Sequence, residues 1–291
     1  RTMKRWFITL YVTAIAAIFV FAALMLARPA IPLLAPLGLL VAAAAPLGFF
    51  GWLFAARPPR TDRHPILVSA IAGLGAVLSA AAVYRYGEAW NPYLAGGIGV
   101  LVGWMVYLRW YSVQRETPDA PVPGQPLPEF SLEGPDGETI VSSALIGRPA
   151  VLVFYRGSWC PLCTAQIKEL AAAWREVGRD ATLWFISNQG PARNGALADR
   201  FDLPGAFLRD PDGAATKTLG LHAPGATPGG LELLGFPSDA AVPTVIVVDA
   251  RGFVRFIEVA DNYRLRPEPG AYLQHLEPAV GAGPSDYSAD R

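Results

Sequence analysis

Four apolar stretches fill most of the first 115 residues: WFITLYVTAIAAIFVFAALMLA (6–27), PAIPLLAPLGLLVAAAAPLGFFGWLFAA (29–56), PILVSAIAGLGAVLSAAAVY (65–84) and AWNPYLAGGIGVLVGWMVYL (89–108). Each is near the roughly 20 residues that carry a helix across a hydrocarbon core. None holds Asp, Glu, Lys, Arg or His. A backbone in lipid must satisfy its own hydrogen bonds, so stretches of this kind are read as helices. Residues 1–115 are therefore expected to form an all-α membrane bundle of four transmembrane helices, with the lipid bilayer as its partner. The 52% apolar and 16% charged composition averages that segment with an ordinary soluble half. With 24 basic and 24 acidic residues, charge gives no reason to expect nucleic acid as a partner.

Pro32, Pro36 and Pro46 weaken the second stretch, although neighbouring helices can re-satisfy a proline-broken backbone, and Pro32 is expected in its first turn. The flanks carry a charge bias. Arg1, Lys4, Arg5, Arg57, Arg60, Arg63, Arg109 and Arg115 lie on one side, and Arg28 and Arg85 on the other. Eight against two predicts both ends of the segment in the cytoplasm, and the second half with them, in a bacterial-type inner membrane. An odd number of spans would place that half in the periplasm; a re-entrant second stretch or a cleaved signal peptide over 1–27 would produce one. Ala95, Gly99 and Gly103 recur every four residues, a spacing that permits close helix approach. The spans contain neither ionisable residues for a proton or substrate path nor cysteines for a thiol relay, so anchoring is the reading they support.

Residues 116–129 contain five prolines, Pro118, Pro121, Pro123, Pro126 and Pro128, which favour extended polyproline conformations. They are read as a semi-rigid linker, followed by a soluble domain over 130–280 and a flexible tail over 281–291. VLVFY (151–155), TLWFIS (182–187), TVIVVD (244–249) and FVRFIEV (253–259) read as strands, the last two joined by a turn at Asp249-Ala250-Arg251-Gly252. Ile167, Leu170, Ala171, Trp174 and Val177 mark one face of a helix that Gly178 would stop. Further helices are expected over 192–201 and 213–219. Strand, helix, strand, helix and hairpin make an α/β domain with a mixed sheet flanked by helices.

The chain's two cysteines fall in FYRGSWCPLC, residues 154–163. Pro161 takes the first helical position, which places Cys160 near the N-cap and Cys163 one turn in. A helix N-terminus stabilises a thiolate, and C-x-x-C spacing lets two sulfurs bond. Competing readings are a zinc half-site, an inert buried thiol pair and a structural disulfide. Zinc lacks ligands, since His222 and His275 are 53 positions apart and outside metal-motif spacing. No metal and no cofactor is expected.

GQPLPEFSLEGPDGETIVSSALIGRPAVLVFYRGSWCPLC and AVPTVIVVDARGFVRF, with FLRDPDGAATKTLGL and NYRLRPEPGAYLQHL, resemble the thioredoxin-like superfamily and, more narrowly, the alkyl hydroperoxide reductase/thiol-specific antioxidant redoxins, the peroxiredoxin-like proteins. The resemblance spans about residues 124–277. It implies a thioredoxin fold and an antioxidant thiol oxidoreductase in which Cys160 and Cys163 are catalytic and close a redox-active disulfide. A dithiol donor such as a thioredoxin-type protein would reset it. Supporting roles are implied for Trp159, Pro161, Arg156, Thr164 and Pro243, with Pro243 expected in a cis bond facing the cysteines. The sequence departs from the family's Pro-x-x-x-Thr-x-x-Cys pocket, with Arg156 at its proline and Cys160 at its threonine. Three functions follow: peroxide reduction, reduction of protein disulfides at the membrane, and a non-enzymatic redox-sensing module. Which cysteine attacks stays open, Cys160 by analogy with thioredoxin and Cys163 by alignment with peroxiredoxins.

Overall fold

The computed structural model describes residues 2–114, 116–177, 181–202 and 205–276. The chain divides into two compact units, Arg1–Arg57 with Thr61–Val113 and Pro58–Arg60 with Gln114–Arg291.

The first unit contains α1 (Thr2–Leu26), α2 (Leu34–Ala56), α3 (Ile66–Tyr86) and α4 (Asn91–Val106). A 3-10 turn at Glu88–Trp90 precedes α4, and a π-helical turn at Tyr107–Tyr111 continues it. All four, α4 taken with its two turns, are long and apolar enough to cross a membrane by length and composition. Helix α2 runs unbroken through Pro46, and Pro36 sits in its first turn, where the missing N–H would have had no helical partner. Pro32 departs from expectation, since the helix starts two residues after it. The chain is still reversing direction there, with Ile31 N bonded to Arg28 O at 3.1 Å.

The small residues that bring helices together are not those of the Ala95, Gly99, Gly103 stripe. Gly99 faces open space, and Gly103 lies against the Tyr11 ring, whose Oη donates to Val100 O at 3.0 Å. The close approach is instead between α2 and α3. A Cβ on Gly75 would run into the backbone of Ala42, and one on Gly38 into that of Ser79. Each helix thus offers its own small-xxx-small pair, Gly38 with Ala42 and Gly75 with Ser79.

The second unit contains β1 (Ser131–Glu133), β2 (Thr139–Val141), β3 (Ala150–Phe154), α5 (Pro161–Val177), β4 (Thr182–Ser187), α6 (Pro191–Phe201), β5 (Ala206–Arg209), α7 (Ala214–Thr218), β6 (His222–Ala223), β7 (Ala240–Ala241), β8 (Thr244–Val248), β9 (Val254–Val259) and α8 (Pro269–Leu273). Seven strands form one sheet in the order β2-β1-β5-β4-β3-β8-β9, while β6 and β7 pair separately. Strands β3, β4 and β5 are mutually parallel, and β8, β9, β1 and β2 join antiparallel, which is the mixed sheet expected.

The apolar runs of β3, β4 and β8 follow from burial on both faces. Leu152, Phe154, Ile186 and Ile246 pack with Phe130 and Leu132 on one side. On the other, Phe185 stacks on Phe207 at 4.7 Å, and Tyr155 meets Phe207 edge-on. Helix α5 buries Ile167, Leu170, Ala171 and Trp174. The side chain of Val177, the proposed stop Gly178, residues 277–280 and the tail 281–291 lie outside the described residues, as do Arg1 and Arg115.

The proline-rich segment is not a free spacer. Gly124 N donates to Val254 O at 2.8 Å, Val254 N to Gln125 O at 2.9 Å, and Leu127 N to Gly252 O at 2.9 Å. Its prolines lack an N–H, but the residues between them supply the donors that edge pairing needs.

Candidate active site

The site is assembled where β3 ends and α5 begins. Thr164 N donates to Cys160 O at 3.2 Å, so Cys160 is the N-cap, Pro161 is the first helical residue, and Cys163 lies in the first turn. Gly157 has φ of 141°, a backbone region that glycine enters readily, and a Cβ there would lie 2.8 Å from Trp159 Nε1. That turn brings the strand back over the helix end.

Both thiols are free, and both are essentially inaccessible, Cys160 at 1% and Cys163 at 0% exposure. The two cysteines are hydrogen-bonded to each other. Burial acts to raise the Cys163 pKa, but the Cys160 thiol, the Arg266 guanidinium, the Arg156 backbone N–H and the Arg156 charge outweigh it, lowering the pKa to about 5. Cys160 moves the other way. Its hydrogen bond to Cys163, burial and the neighbouring negative sulfur hold its proton on, well above the usual thiol range. The pair is therefore asymmetric, with the thiolate on Cys163 and the thiol on Cys160.

Two arginines supply the positive charge. Arg266 Nη2 is 4.0 Å from Cys163 Sγ, and its Nη1 donates to Leu265 O at 2.7 Å. Its Nε is buried with no acceptor in the protein. Arg156 is 5% exposed and lies between two rings, 4.6 Å from the Trp159 centroid and 4.7 Å from that of Tyr263, with Nη2 donating to Ala226 O. Its role is thus more than solvating the loop.

Of the other expected residues, Thr164 turns its hydroxyl to Pro161 O at 3.0 Å, a bond within the helix's first turn. Pro243 departs from expectation: no cis peptide bond occurs among the described residues, and Val242–Pro243 is trans. The chain passes extended between β7 and β8, with Val242 N on Leu221 O at 2.7 Å, Ala260 N on Pro243 O at 3.0 Å, and Thr244 Oγ1 on Val242 O at 3.0 Å. These bonds fit the trans form, which is the intrinsically favoured one even for proline. Of the two histidines weighed as ligands, His222 is engaged by Asp239 at 3.2 Å, and His275 stacks on Phe256 at 5.1 Å.

Sequence reading missed a buried polar cluster beneath the loop. Gln189 Oε1 accepts from Ser158 N at 2.8 Å, while Gln189 Nε2 donates to Asn194 Oδ1 at 2.7 Å and Tyr155 Oη at 3.1 Å. Tyr155 Oη in turn donates to Asn194 Oδ1 at 2.8 Å. The only sequence signal is weak: Asn188-Gln189-Gly190 follows an apolar strand and looks like an ordinary turn.

A vicinal thiol pair at the first turn of the helix that follows the central strand of a mixed sheet defines a thioredoxin-fold redoxin. Residues 123–257 match the AhpC/TSA family, and this part of the chain is a peroxiredoxin-like member of it. The chain is 31% identical over 148 residues to a chloroplastic peroxiredoxin Q of Populus jackii, covering 50% of this chain and 62% of the relative. It is 28% identical over 150 residues to that of Triticum aestivum, covering 50% and 61%. It therefore spans about three fifths of the length of these curated relatives. Solved structures similar to it include peroxidoxin BcpB of Mycobacterium tuberculosis, at 18% identity and TM-score 0.43, covering 56% of this chain and 99% of that one. Another is reduced Prx3 in complex with H2O2 of Vibrio vulnificus, at 19% identity and TM-score 0.45, covering 54% and 99%.

Proposed function

We propose that the chain is a membrane-anchored peroxiredoxin-like peroxidase in which Cys163 attacks and Cys160 resolves. The observation that carries this is the asymmetry of the buried pair, a lowered Cys163 facing Arg266 and a raised Cys160 beside it. The Cys163 thiolate attacks the nearer oxygen of a hydroperoxide, forming an S–O bond and breaking the O–O bond. The departing alkoxide or hydroxide takes up a proton and leaves as alcohol or water. Cys163 is then a sulfenic acid, and the Cys160 sulfur displaces its hydroxyl as water to close the Cys160–Cys163 disulfide. A thioredoxin-type dithiol donor reduces the disulfide, returning both thiols and leaving as a disulfide itself. No cofactor enters any step. The unpartnered N–H of Arg266 Nε offers a donor to a peroxide oxygen, in place of the hydroxyl lost where Cys160 replaces the family's threonine.

Burial decides against the nearest competitor. Reduction of a protein disulfide by Cys160 needs an exposed nucleophile, and this sulfur is both inaccessible and held protonated. Non-enzymatic redox sensing would need a receiving group in the apolar helices, and the cysteines at 160 and 163 are the only ones in the chain. The apolar helices are assigned to anchoring in a bacterial-type inner membrane.

The test is peroxide consumption by the full chain in detergent with a thioredoxin donor. Cys163→Ser is expected to abolish it. Cys160→Ser is expected to retain one turnover, trapped as a Cys163 sulfenic acid by dimedone, and to lose recycling. Sulfenic acid appearing on Cys160 instead would reverse the roles, and disulfide reduction without peroxide consumption would replace the reading.

A further inference from the structure

The reactive loop, Arg156 to Cys160, has few bonds of its own. It carries two of the groups that face Cys163: the Arg156 N–H and the Cys160 thiol. Tyr155 also faces Cys163 from the end of β3, and Arg266 faces it from the segment after β9, with Glu258 behind Arg266. Among these, the loop's groups depend most on something else to hold them. What the loop is fastened to is therefore a chemical question as well as a structural one.

It is fastened through one side chain. Ser158 N, two residues before Cys160, donates to Gln189 Oε1 at 2.8 Å. The other end of the same amide is fixed by Asn194 Oδ1 and Tyr155 Oη. Asn194 is itself held, with Ser187 Oγ donating to its Oδ1 at 3.4 Å and its Nδ2 donating to Leu208 O at 3.3 Å. Tyr155, Ser187, Gln189 and Asn194 are all buried, at 0%, 1%, 1% and 4% exposure. Water is excluded from these side chains, so each polar atom depends on its neighbours, and loss of one member leaves the others unpaired.

The cluster also suits a site that carries a thiolate. Its members are amides and hydroxyls, and burial, followed by the nearby Cys163, keeps the Tyr155 hydroxyl protonated and able to donate. It can thus brace the loop without adding a charge that would oppose the sulfur.

We propose that Gln189 is a positioning residue for the Cys163 thiolate, acting through Ser158 to hold the Arg156 N–H and the Cys160 thiol against the reacting sulfur. It touches neither sulfur nor substrate. The proposal rests on Cys163 as the nucleophile, and its readout is thiol ionisation rather than peroxide turnover, so the two can fail separately.

The experiment measures iodoacetamide labelling of Cys163 against pH in the reduced full chain in detergent, with the labelled peptide identified by mass spectrometry. Wild type is expected to show a midpoint well below the ordinary thiol range. Gln189→Met keeps length and volume but removes both the acceptor and the donors; it is expected to raise the midpoint by about one pH unit, a roughly tenfold loss of thiolate below it. Far-UV circular dichroism and the thermal midpoint report whether that variant is folded. If it is not, Tyr155→Phe decides: it removes one of the two acceptors of Gln189 Nε2 while keeping the ring, and a smaller shift in the same direction is expected. A folded Gln189→Met protein, or in its place Tyr155→Phe, with the wild-type midpoint overturns the positioning role. A wild-type midpoint in the ordinary thiol range overturns the assignment of Cys163 instead.

Discussion

At the scale of single residues, the site is a problem in placing one proton on two sulfurs. Burial alone would raise both pKa values, so an asymmetric pair requires charge aimed at one of them. Arg266, 4.0 Å from Cys163 Sγ, is that charge. Arg266→Gln is expected to move the Cys163 labelling midpoint upward from about 5 and to slow peroxide consumption at pH 7 by about tenfold or more. The sign is fixed by the lowered pKa: reactivity is present above the Cys163 value and is lost as pH falls through it, and the variant shifts that loss to higher pH. Stopped-flow peroxide consumption across pH 4–9 measures both changes, and an unshifted acid limb would remove Arg266 from the ionisation. The residues that sequence made legible here are those whose signal is local. Cys160, Pro161 and Cys163 announce a helix start within four positions. Gln189 and Asn194 lie 31 and 39 positions from their partners Ser158 and Tyr155, and polar residues after a strand carry no mark that distinguishes a brace from a turn. Arg266 sits in an irregular segment after β9, where no periodicity points at a sulfur. Pro243 was misjudged because the cis geometry came with the resemblance, whereas the bonds around it are those of an extended trans chain.

At the scale of elements, legibility followed burial. TLWFIS is β4 to the residue, and the β3 and β8 readings differ from the strands by a residue, because a strand buried on both faces must be apolar throughout. Strand β5, AFLR, has only two fully buried residues and was missed, as were β6 and β7, whose two-residue pairings are too short to show a pattern. The β8–β9 hairpin was read from its turn residues, and the structure shows what fixes it. Asp249 Oδ1 accepts from Arg251 N and Phe253 N, both at 2.9 Å, and Oδ2 accepts from Arg255 Nη2 at 2.6 Å. Asp249→Ala is expected to cost about 1–3 kcal/mol of local stability, seen as faster amide exchange across residues 249–254. Burial opposes ionisation of this carboxyl, but the Phe253 N–H and Arg255 outweigh it, so its pKa is lowered. The protection is therefore complete above the ordinary aspartate value and lost as pH falls through the lower folded one. In the helical unit the glycine stripe on α4 misled, since spacing alone does not say which face meets a neighbour. Gly75→Ala, which drives a methyl into the Ala42 backbone, is expected to destabilise the bundle by about 1–3 kcal/mol. Gly99→Ala, facing open space, is expected to leave it unchanged. Thermal unfolding in detergent separates the two, and equal effects would refute the assignment of the α2–α3 contact.

At the scale of the whole molecule, the chemistry depends on which side of a membrane the redoxin occupies. Four helices of spanning length leave both ends of the segment on one face, and the basic residues in the flanks stand eight to two in favour of the cytoplasm. That side suits the proposed cycle. Cytosolic thiol buffers keep a dithiol reduced between turnovers, and thioredoxin-type donors have potentials low enough to reduce a disulfide formed by peroxide. In an oxidising compartment the same pair would rest as a disulfide, and a nucleophile of lowered pKa would be consumed before peroxide arrived. Fusions after residue 116 are therefore expected to be fluorescent with green fluorescent protein and inactive with alkaline phosphatase. Thiol labelling of intact cells should agree, with Cys163 unmodified by a membrane-impermeant maleimide until the membrane is permeabilised. Active phosphatase fusions would place the redoxin on the oxidising face, where the resting state is the disulfide. The first step there would have to be reduction by an imported electron donor, and the asymmetric thiol pair would serve a disulfide reductase rather than a peroxidase.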